Sequence, residues 1–511
     1  MEATQEQQKK LSHPDKTLLR SKLKSFETRH NGKFKVGSFY TGSGMEFHPI
    51  RLLMHIWGMC FGVAIEVTIA FIVEKVEWRR TFCTEEWKPE QAFDNTLDLM
   101  NNNWRGHDHI SDKDDVPLSP CDMLLGGFEC DDRSLLNNHN RESSENGISE
   151  GSGRTGSTAQ AIIKFVIARR CRALLENLKV LGAKNLQAML DQFNEEHFLV
   201  VPIVLEAREY GSNVRRERQW FYIEPVPENY QQKVEDLRLP AWAEKLKDII
   251  REQKTGAGNL DEFLLDDADP RLAAWHAKEV EQKNQDAKQA KRKSGEGALS
   301  KSAVDHQVAF FDVGLPWPAE IPNTISQALA MYPQSYHEKA VYYTANFSGE
   351  SLETAHDLNM SLDYGSSAPA GKINCIVCSS VYFLRLRRRL LFGYEALRLQ
   401  GFPVHLLRTE LSQTRGMQLA GNSFNAFKIP ALITGIFVHS PSIDVDIAKE
   451  PTETQITGED CNCDDQDEGK NDAEIISNEE ADNDSNDVIN DDLLGSSASS
   501  DDICGSQVFD L

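Results

Sequence analysis

Hydrophobic residues in the first 225 positions alternate between two rhythms. Short continuous runs suit buried strands, and stretches with apolar residues three to four apart suit helices. Lys35-Val36-Gly37-Ser38-Phe39 runs into Tyr40-Thr41-Gly42-Ser43-Gly44, a strand entering a glycine turn. The spacing then predicts a helix over 48–59 and a second strand ending near Glu66. Residues 52–73 are almost continuously apolar, but Gly58, Gly62 and Glu66 interrupt them. A carboxylate at the centre of a span costs about 2.5–3.5 kcal/mol, so a helix end followed by a buried strand is expected, and no membrane span. Asp122 to Gly127 reads as another buried strand leaving its sheet at Gly126-Gly127. Helical spacing returns over 159–169 and 184–197, with strands over 173–178 and 198–205, and Trp220-Phe221-Tyr222 forms one more apolar run. This alternation predicts a parallel α/β sheet covered on both faces.

The rest of the chain breaks the rhythm. Residues 77–120 are polar with scattered aromatics and read as loop, and 137–153 as a flexible Ser/Asn/Glu/Gly insertion. Beyond 225 come two helical stretches (239–253 and 270–293) and an irregular segment to 385. A helix with Glu395-Ala396-Leu397 and another at Gly421-Asn422 follow. The expected organisation is a polar N-terminal arm (1–33), an α/β domain (34–225), a second, smaller domain (226–385), a return to the first domain (386–440) and a tail (441–511).

Charge sharpens that division. The net charge is −24, yet residues 441–511 hold 22 Asp/Glu against two Lys and so carry −20 of it. The tail is poor in aromatics and is expected to be disordered. The remaining 440 residues carry −4, so the low overall pI excludes no nucleic-acid partner. Ten cysteines in no regular framework, and no signal peptide at the start, predict reduced thiols and an intracellular protein. His107-Asp108-His109 has no further ligands at zinc spacing, and Cys375-x-x-Cys378 lacks a second pair, so no metal is expected. Lys291-Arg292-Lys293 is a candidate nuclear signal or phosphate contact.

Candidate chemistry sits where apolar runs end. In open α/β sheets, ligands bind beyond the carboxyl ends of the strands. The turn Gly42-Ser43-Gly44, with Glu66 22 positions after Gly44, has the layout of a nucleotide-type site. Cys130 follows the Gly126-Gly127 turn and is a candidate nucleophile. Glu176 closes a strand, and Arg215, Arg216 and Arg218 cluster before another.

In this order, these marks resemble the C5-cytosine DNA methyltransferase family. Phe39-Tyr40-Thr41-Gly42-Ser43-Gly44 is similar to its methyl-donor loop, Gly126-Gly127-Phe128-Glu129-Cys130 to its nucleophile loop, and Thr155-Gly156 to the short motif after it. Glu176-Asn177-Leu178 resembles Glu-Asn-Val, and Arg216 and Arg218 fall in a Gln-x-Arg-x-Arg-like stretch whose Gln is Val214. Arg389 with residues 395–403 resembles the helix after the recognition domain, and Gly421-Asn422 the closing Gly-Asn motif. The resemblance implies a Rossmann-like S-adenosylmethionine-dependent methyltransferase with a smaller target-recognition domain. Its cofactor is S-adenosyl-L-methionine, held by Phe39, Gly42, Gly44, Glu66 and Asn422. Its substrate is DNA, with RNA cytosine methylation or a catalytically inactive methyltransferase-like scaffold as the alternatives, and its location is nuclear. Cys130 is then the nucleophile that adds to cytosine C6, Glu176 the acid at N3, and Arg216 and Arg218 the arginines that hold the base. The family's usual Pro before the cysteine is Glu129 here, and Asp131 and Asp132 follow. Three carboxylates beside a thiol favour its protonated form.

Overall fold

A computed structural model describes residues 2–128, 147–178 except 152, 182–226, 241–277 except 276, 309, 320–360 except 330 and 331, 362 and 368–440. Cys130 with its acidic neighbours, residues 137–146 of the polar insertion, Lys291-Arg292-Lys293 and the tail from 441 lie outside the described residues.

Seven strands form the central sheet: β1 (Lys33–Phe39), β2 (Glu66–Val73), β3 (Ala92–Phe93), β4 (Met123–Gly127), β5 (Arg172–Leu178), β6 (Phe198–Glu206) and β7 (Glu217–Pro225). Their spatial order is β3-β2-β1-β4-β5-β7-β6. The first five run parallel, and β7 runs antiparallel between β5 and β6. The expected all-parallel sheet is therefore corrected at one edge. Residues 207–216 turn the chain straight back beside β6, which a parallel connection with its crossover helix cannot do.

Both faces are covered, which is why the strands read as continuous apolar runs. Alternate residues sort to opposite sides. Met123 and Leu125 join one core with Leu174, Trp220 and Tyr222, and Leu124 joins the other with Leu175 and Phe221. The second face is packed by α5 (Gly153–Arg169) and α6 (Ala183–Glu195), through Ile162, Phe165, Met189 and Phe193. The first face is packed by α3 (Phe47–Phe61), α7 (Ala241–Glu252) and α10 (Ile429–His439). No helix among the described residues is long and apolar enough to cross a membrane.

Three expectations change. Residues 1–33 are not a polar arm. They form α1 (Glu2–Lys9) and α2 (His13–Arg29), and Leu19, Leu23 and Phe26 of α2 are fully buried in the first core, where Phe26 meets the edge of Phe437. The few apolar residues of α2 fall on one stripe, so average polarity hid a packed face. Residues 77–120 are not one loop: they contain α4 (Glu77–Trp87), β3, the helix Thr96–Asn101 and the hairpin Arg105–Asp108/Lys113–Pro117. Finally, the chain does not leave the first domain at 226. Helix α7 packs on α10, with Gly435 so close to Ile250 that a Cβ there would stand 2.8 Å from its side chain. A small separate core does exist further on, with Ile325, Leu329, Tyr343, Leu358 and Phe383.

Candidate active site

The sheet brings its functional groups to one edge, where β1, β2, β4 and β5 end and β7 begins. Phe39 pairs with Gly126, and Gly127 with Glu176.

At the β1 end, Tyr40, Gly42 and Gly44 all have positive φ (55°, 59° and 65°), and only glycine takes such a backbone without cost. The turn is closed on itself by Gly44 N donating to Thr41 O at 2.9 Å. A Cβ on Gly42 would stand 2.9 Å from the Asn422 carbonyl oxygen, and one on Gly44 2.4 Å from Trp87 Nε1. Asn422, at the end of α9 (Gln413–Asn422), thus lies against the glycine turn. Phe39 points the other way: its ring is fully buried, 4.9 Å from that of Phe165.

Glu66 is not at this site. Strand β2 begins at Glu66 rather than ending there, and Glu66 is exposed beside Lys33, at the amino end of β1. The acid at the carboxyl end of β2 is Glu74, which the spacing argument missed. Counting about 20 positions from the glycines stopped at the wrong end of the strand, whereas the apolar run 67–73 ends directly before Glu74. Glu74 is buried and accepts from Gly42 N at 2.9 Å and from Val76 N at 3.1 Å. Burial raises its pKa, against the pull of these N–H groups and of Arg79 and Arg80. Glu46, also fully buried, accepts from Ser38 Oγ at 2.7 Å with one oxygen and has no hydrogen-bond partner for the other. Burial pushes it up to about 7, and the nearby Glu74 adds to the rise. Cys83 lies in the same pocket, with Sγ 3.4 Å from Gly42 O. Burial and then Glu74 and Glu46 push its thiol well up.

The other half of the edge is cationic. Arg218 and Trp220 are two residues apart on β7 and therefore share a face, and Arg216 stands directly before the strand. Glu176 stands opposite Trp220 across the ladder, which makes Arg218 its diagonal neighbour. Arg218 Nε meets Glu176 Oε1 at 3.1 Å. A Cβ on Gly127 would stand 3.0 Å from the Phe424 ring and 3.7 Å from Glu176 Oε2. The carboxylate thus lies beside the strand that leads to Cys130. Asn177 Nδ2 donates to Phe128 O at 3.1 Å and ties the first residue of that loop to β5.

Arg216 does different work from Arg218. Its guanidinium is spent on protein carbonyls: Ser423 O at 2.8 Å, and Ile376 O and Gly421 O at 3.3 Å each. It braces the 421–423 turn through Nη1 and Nη2, while its buried Nε has no hydrogen-bond partner among the described residues. Both arginines also face Cys375, whose Sγ lies 3.9 Å from Arg216 Nη1 and 3.6 Å from Arg218 Nη2. Burial opposes ionisation of that thiol, but the two guanidiniums outweigh it and hold the pKa below the ordinary value. From sequence, Cys375-x-x-Cys378 had no assigned place. The structure seats it on Gly421, where a Cβ would stand 2.4 Å from Cys378 N. Among the described residues, no group of His, Cys, Asp and Glu is arranged to hold a metal. His107 and His109 sit on the exposed hairpin, where His107 Nδ1 meets Asp114 at 2.9 Å.

A turn whose Gly42 and Gly44 leave no room for a Cβ, a buried acid at the next strand end, and Asn422 packed on the turn form a cradle of the kind a nucleoside-bearing donor requires. The site therefore fits S-adenosylmethionine through Gly42, Gly44, Glu74 and Asn422.

A profile of the C-5 cytosine-specific DNA methylases matches residues 84–437. No curated protein sequence matches the chain. Solved structures similar to it include a triple mutant of DNMT2 from Spodoptera frugiperda (14% identity, 79% of this chain and 99% of that one, TM-score 0.40). Dnmt2 methyltransferase from S. pombe follows (9%, 79% and 97%, 0.40), and the Entamoeba histolytica methyltransferase EhMeth (10%, 80% and 98%, 0.39).

Proposed function

Because the chain belongs to the C-5 cytosine-specific DNA methylase family, whose chemistry is methyl transfer at cytosine C5, we propose that it methylates cytosine in DNA through a covalent adduct on Cys130. S-adenosylmethionine supplies the methyl group as an electrophilic carbon, and Gly42, Gly44, Glu74 and Asn422 are the residues that would hold it.

The remaining chemistry belongs to the chain. Cytosine C5 is a weak nucleophile, and the base must first leave the stack. The Cys130 thiolate bonds to C6, and the displaced electron pair moves toward N3. Glu176 gives its proton to N3, which leaves C5 as a nucleophilic enamine carbon. Arg218 fixes the Glu176 carboxyl. Once C5 carries the methyl group, its proton passes to a base, N3 returns its proton to the Glu176 carboxylate, and the thiolate departs from C6, restoring the ring. Arg216 braces the 421–423 turn that joins both halves of the site.

The observation that carries this reading is the Arg218–Glu176 pair, 3.1 Å apart beside the strand leading to Cys130. The test is transfer of labelled methyl from the donor to duplex DNA and, separately, to RNA, by the wild type and Cys130→Ser. Label in DNA from the wild type alone is expected. Label in RNA alone would move the substrate to RNA, and full transfer by Cys130→Ser would remove the adduct.

A further inference from the structure

One group at the cationic end has no role in the reaction as described. Lys428 closes the 3-10 turn Ala426–Lys428 before α10, and its side chain is fully buried. Its Nζ donates to Arg216 O at 3.2 Å and lies 5.5 Å from the centroid of the Trp220 ring. The turn itself is fixed, since Asn425 Nδ2 donates to Ser212 Oγ at 3.0 Å and to Gln400 Oε1 at 3.1 Å.

A buried lysine is costly, and an aliphatic side chain could fill the same space. Its surroundings give the charge a use. Glu176 faces it from β5 and Glu206 from the end of β6, while Arg216 and Arg218 face it from the entry to β7. Trp220, over which it sits, is the register partner of Glu176. Cys375, facing the same two arginines, completes the ring of titratable groups.

We propose that Lys428 is a positioning residue for the Glu176–Arg218 pair, holding the strand that carries Arg218 through the Arg216 carbonyl and setting the charge that Glu176 faces. The proposal deepens the methyl-transfer reading and rests on it for its kinetic arm. Burial brings the amine down to about 7, against the opposing pull of Glu176. Near neutrality the amine therefore passes between two forms. As an ammonium, it adds a cation beside Arg218 on the side that Glu176 faces. As a free amine, it leaves Arg218 as the cation paired with Glu176.

Two measurements on the full chain test this. In wild-type protein with carbon-13 in its lysine and glutamate side chains, one lysine Cε signal, identified by its loss in Lys428→Met, should titrate near pH 7. The Glu176 carboxyl signal, identified by Glu176→Gln, should step at the same pH. A Lys428 midpoint above 9, or a Glu176 signal that ignores the step, overturns the proposal without touching the methyl-transfer reading. In single-turnover methyl transfer, the ratio of the wild-type rate to the Lys428→Met rate should change through pH 7, with donor affinity unchanged. A ratio that stays constant across pH 7 overturns the proposal. If no substrate accepts methyl at all, the functional reading fails while the NMR titration still decides the role of Lys428. If Lys428→Met does not fold, loss of the signal in Lys428→Arg identifies it instead.

Discussion

The two halves of the site edge solve opposite electrostatic problems with the same device. At the β1–β2 end, the chain buries acids: Glu46 and Glu74 lie behind the glycine turn, beside the Cys83 thiol. At the β5–β7 end, it gathers cations: Arg216 and Lys428 are buried, and the partly exposed Arg218 pairs with Glu176. In both, desolvation drives the excess charge toward neutrality, up to about 7 for Glu46 and down to about 7 for Lys428. The difference matches the ligands each end would meet. A donor with a ribose and a cationic sulfonium suits carboxylates. A base that must be protonated, on a phosphate chain, suits guanidiniums.

The largest expected effect comes from removing the acid of the cationic half. Glu176→Gln should lower the methyl-transfer rate by roughly 10²–10⁴, the usual contribution of a positioned acid, with donor affinity unchanged. Equal loss of donor binding, read by calorimetry, would mean that the two halves are not separable.

The pH dependence of stability sharpens the contrast, because the two ends should respond in opposite senses. Glu46 holds its proton more tightly in the folded state than in the unfolded one. Its contribution is therefore complete below about pH 4.5 and is lost as pH rises through 7. Glu46→Gln should match the wild type in acid and gain roughly 3 kcal/mol above pH 7, at about 1.4 kcal/mol per pH unit. Lys428 holds its proton less tightly when folded. It costs stability below pH 7, and that cost is relieved as pH rises toward its unfolded value. Lys428→Met should gain most at and below pH 7 and least near pH 10. Denaturant midpoints across pH that move in the same direction for both variants would break the comparison.

A smaller effect separates the two candidate acids of the donor half. Glu74→Ala should weaken donor binding by about 10- to 100-fold, the worth of a hydrogen bond to a charged group. Glu66→Ala should leave it unchanged, being at the other end of β2. An isothermal titration in which Glu66→Ala binds as poorly as Glu74→Ala would restore the sequence-based assignment. The smallest effect concerns charge outside both halves. Deleting residues 441–511 removes −20 of charge and should tighten DNA binding, mostly at low salt. Equal affinity of the two forms at low salt would exclude competition by the tail.

What the sequence made legible follows from what each signal measures. Apolar runs located β1, β4, β5 and β6 because strands covered on both faces need no alternation to be seen. The turn at Gly42 and Gly44 was legible because its backbone demands glycine. That Glu176 and Arg218 serve the same base was implied by family resemblance, whereas their pairing needed the antiparallel β7. That reversal was invisible because a strand's direction leaves no mark on its composition. Glu66 was preferred to Glu74 because spacing along the chain cannot tell the two ends of a strand apart. The N-terminal helices were misread because a narrow apolar stripe disappears into a polar average. Cys375 was visible only as half of an incomplete zinc pattern, and Lys428 gave no signal. Their chemistry comes from neighbours more than 150 positions away, which only the fold brings near.

The most direct test of the central claim is covalent trapping. Duplex DNA carrying 5-fluorocytosine in place of cytosine cannot lose its C5 substituent after methyl transfer, so the adduct stays on the attacking residue. With S-adenosylmethionine present, wild-type protein should form a denaturation-resistant complex with this DNA, and Cys130→Ser should form none. The complex should form faster as pH rises, since Glu129, Asp131 and Asp132 favour the protonated thiol. A complex of equal yield from Cys130→Ser, or none from a wild type that still methylates cytosine, would contradict the account.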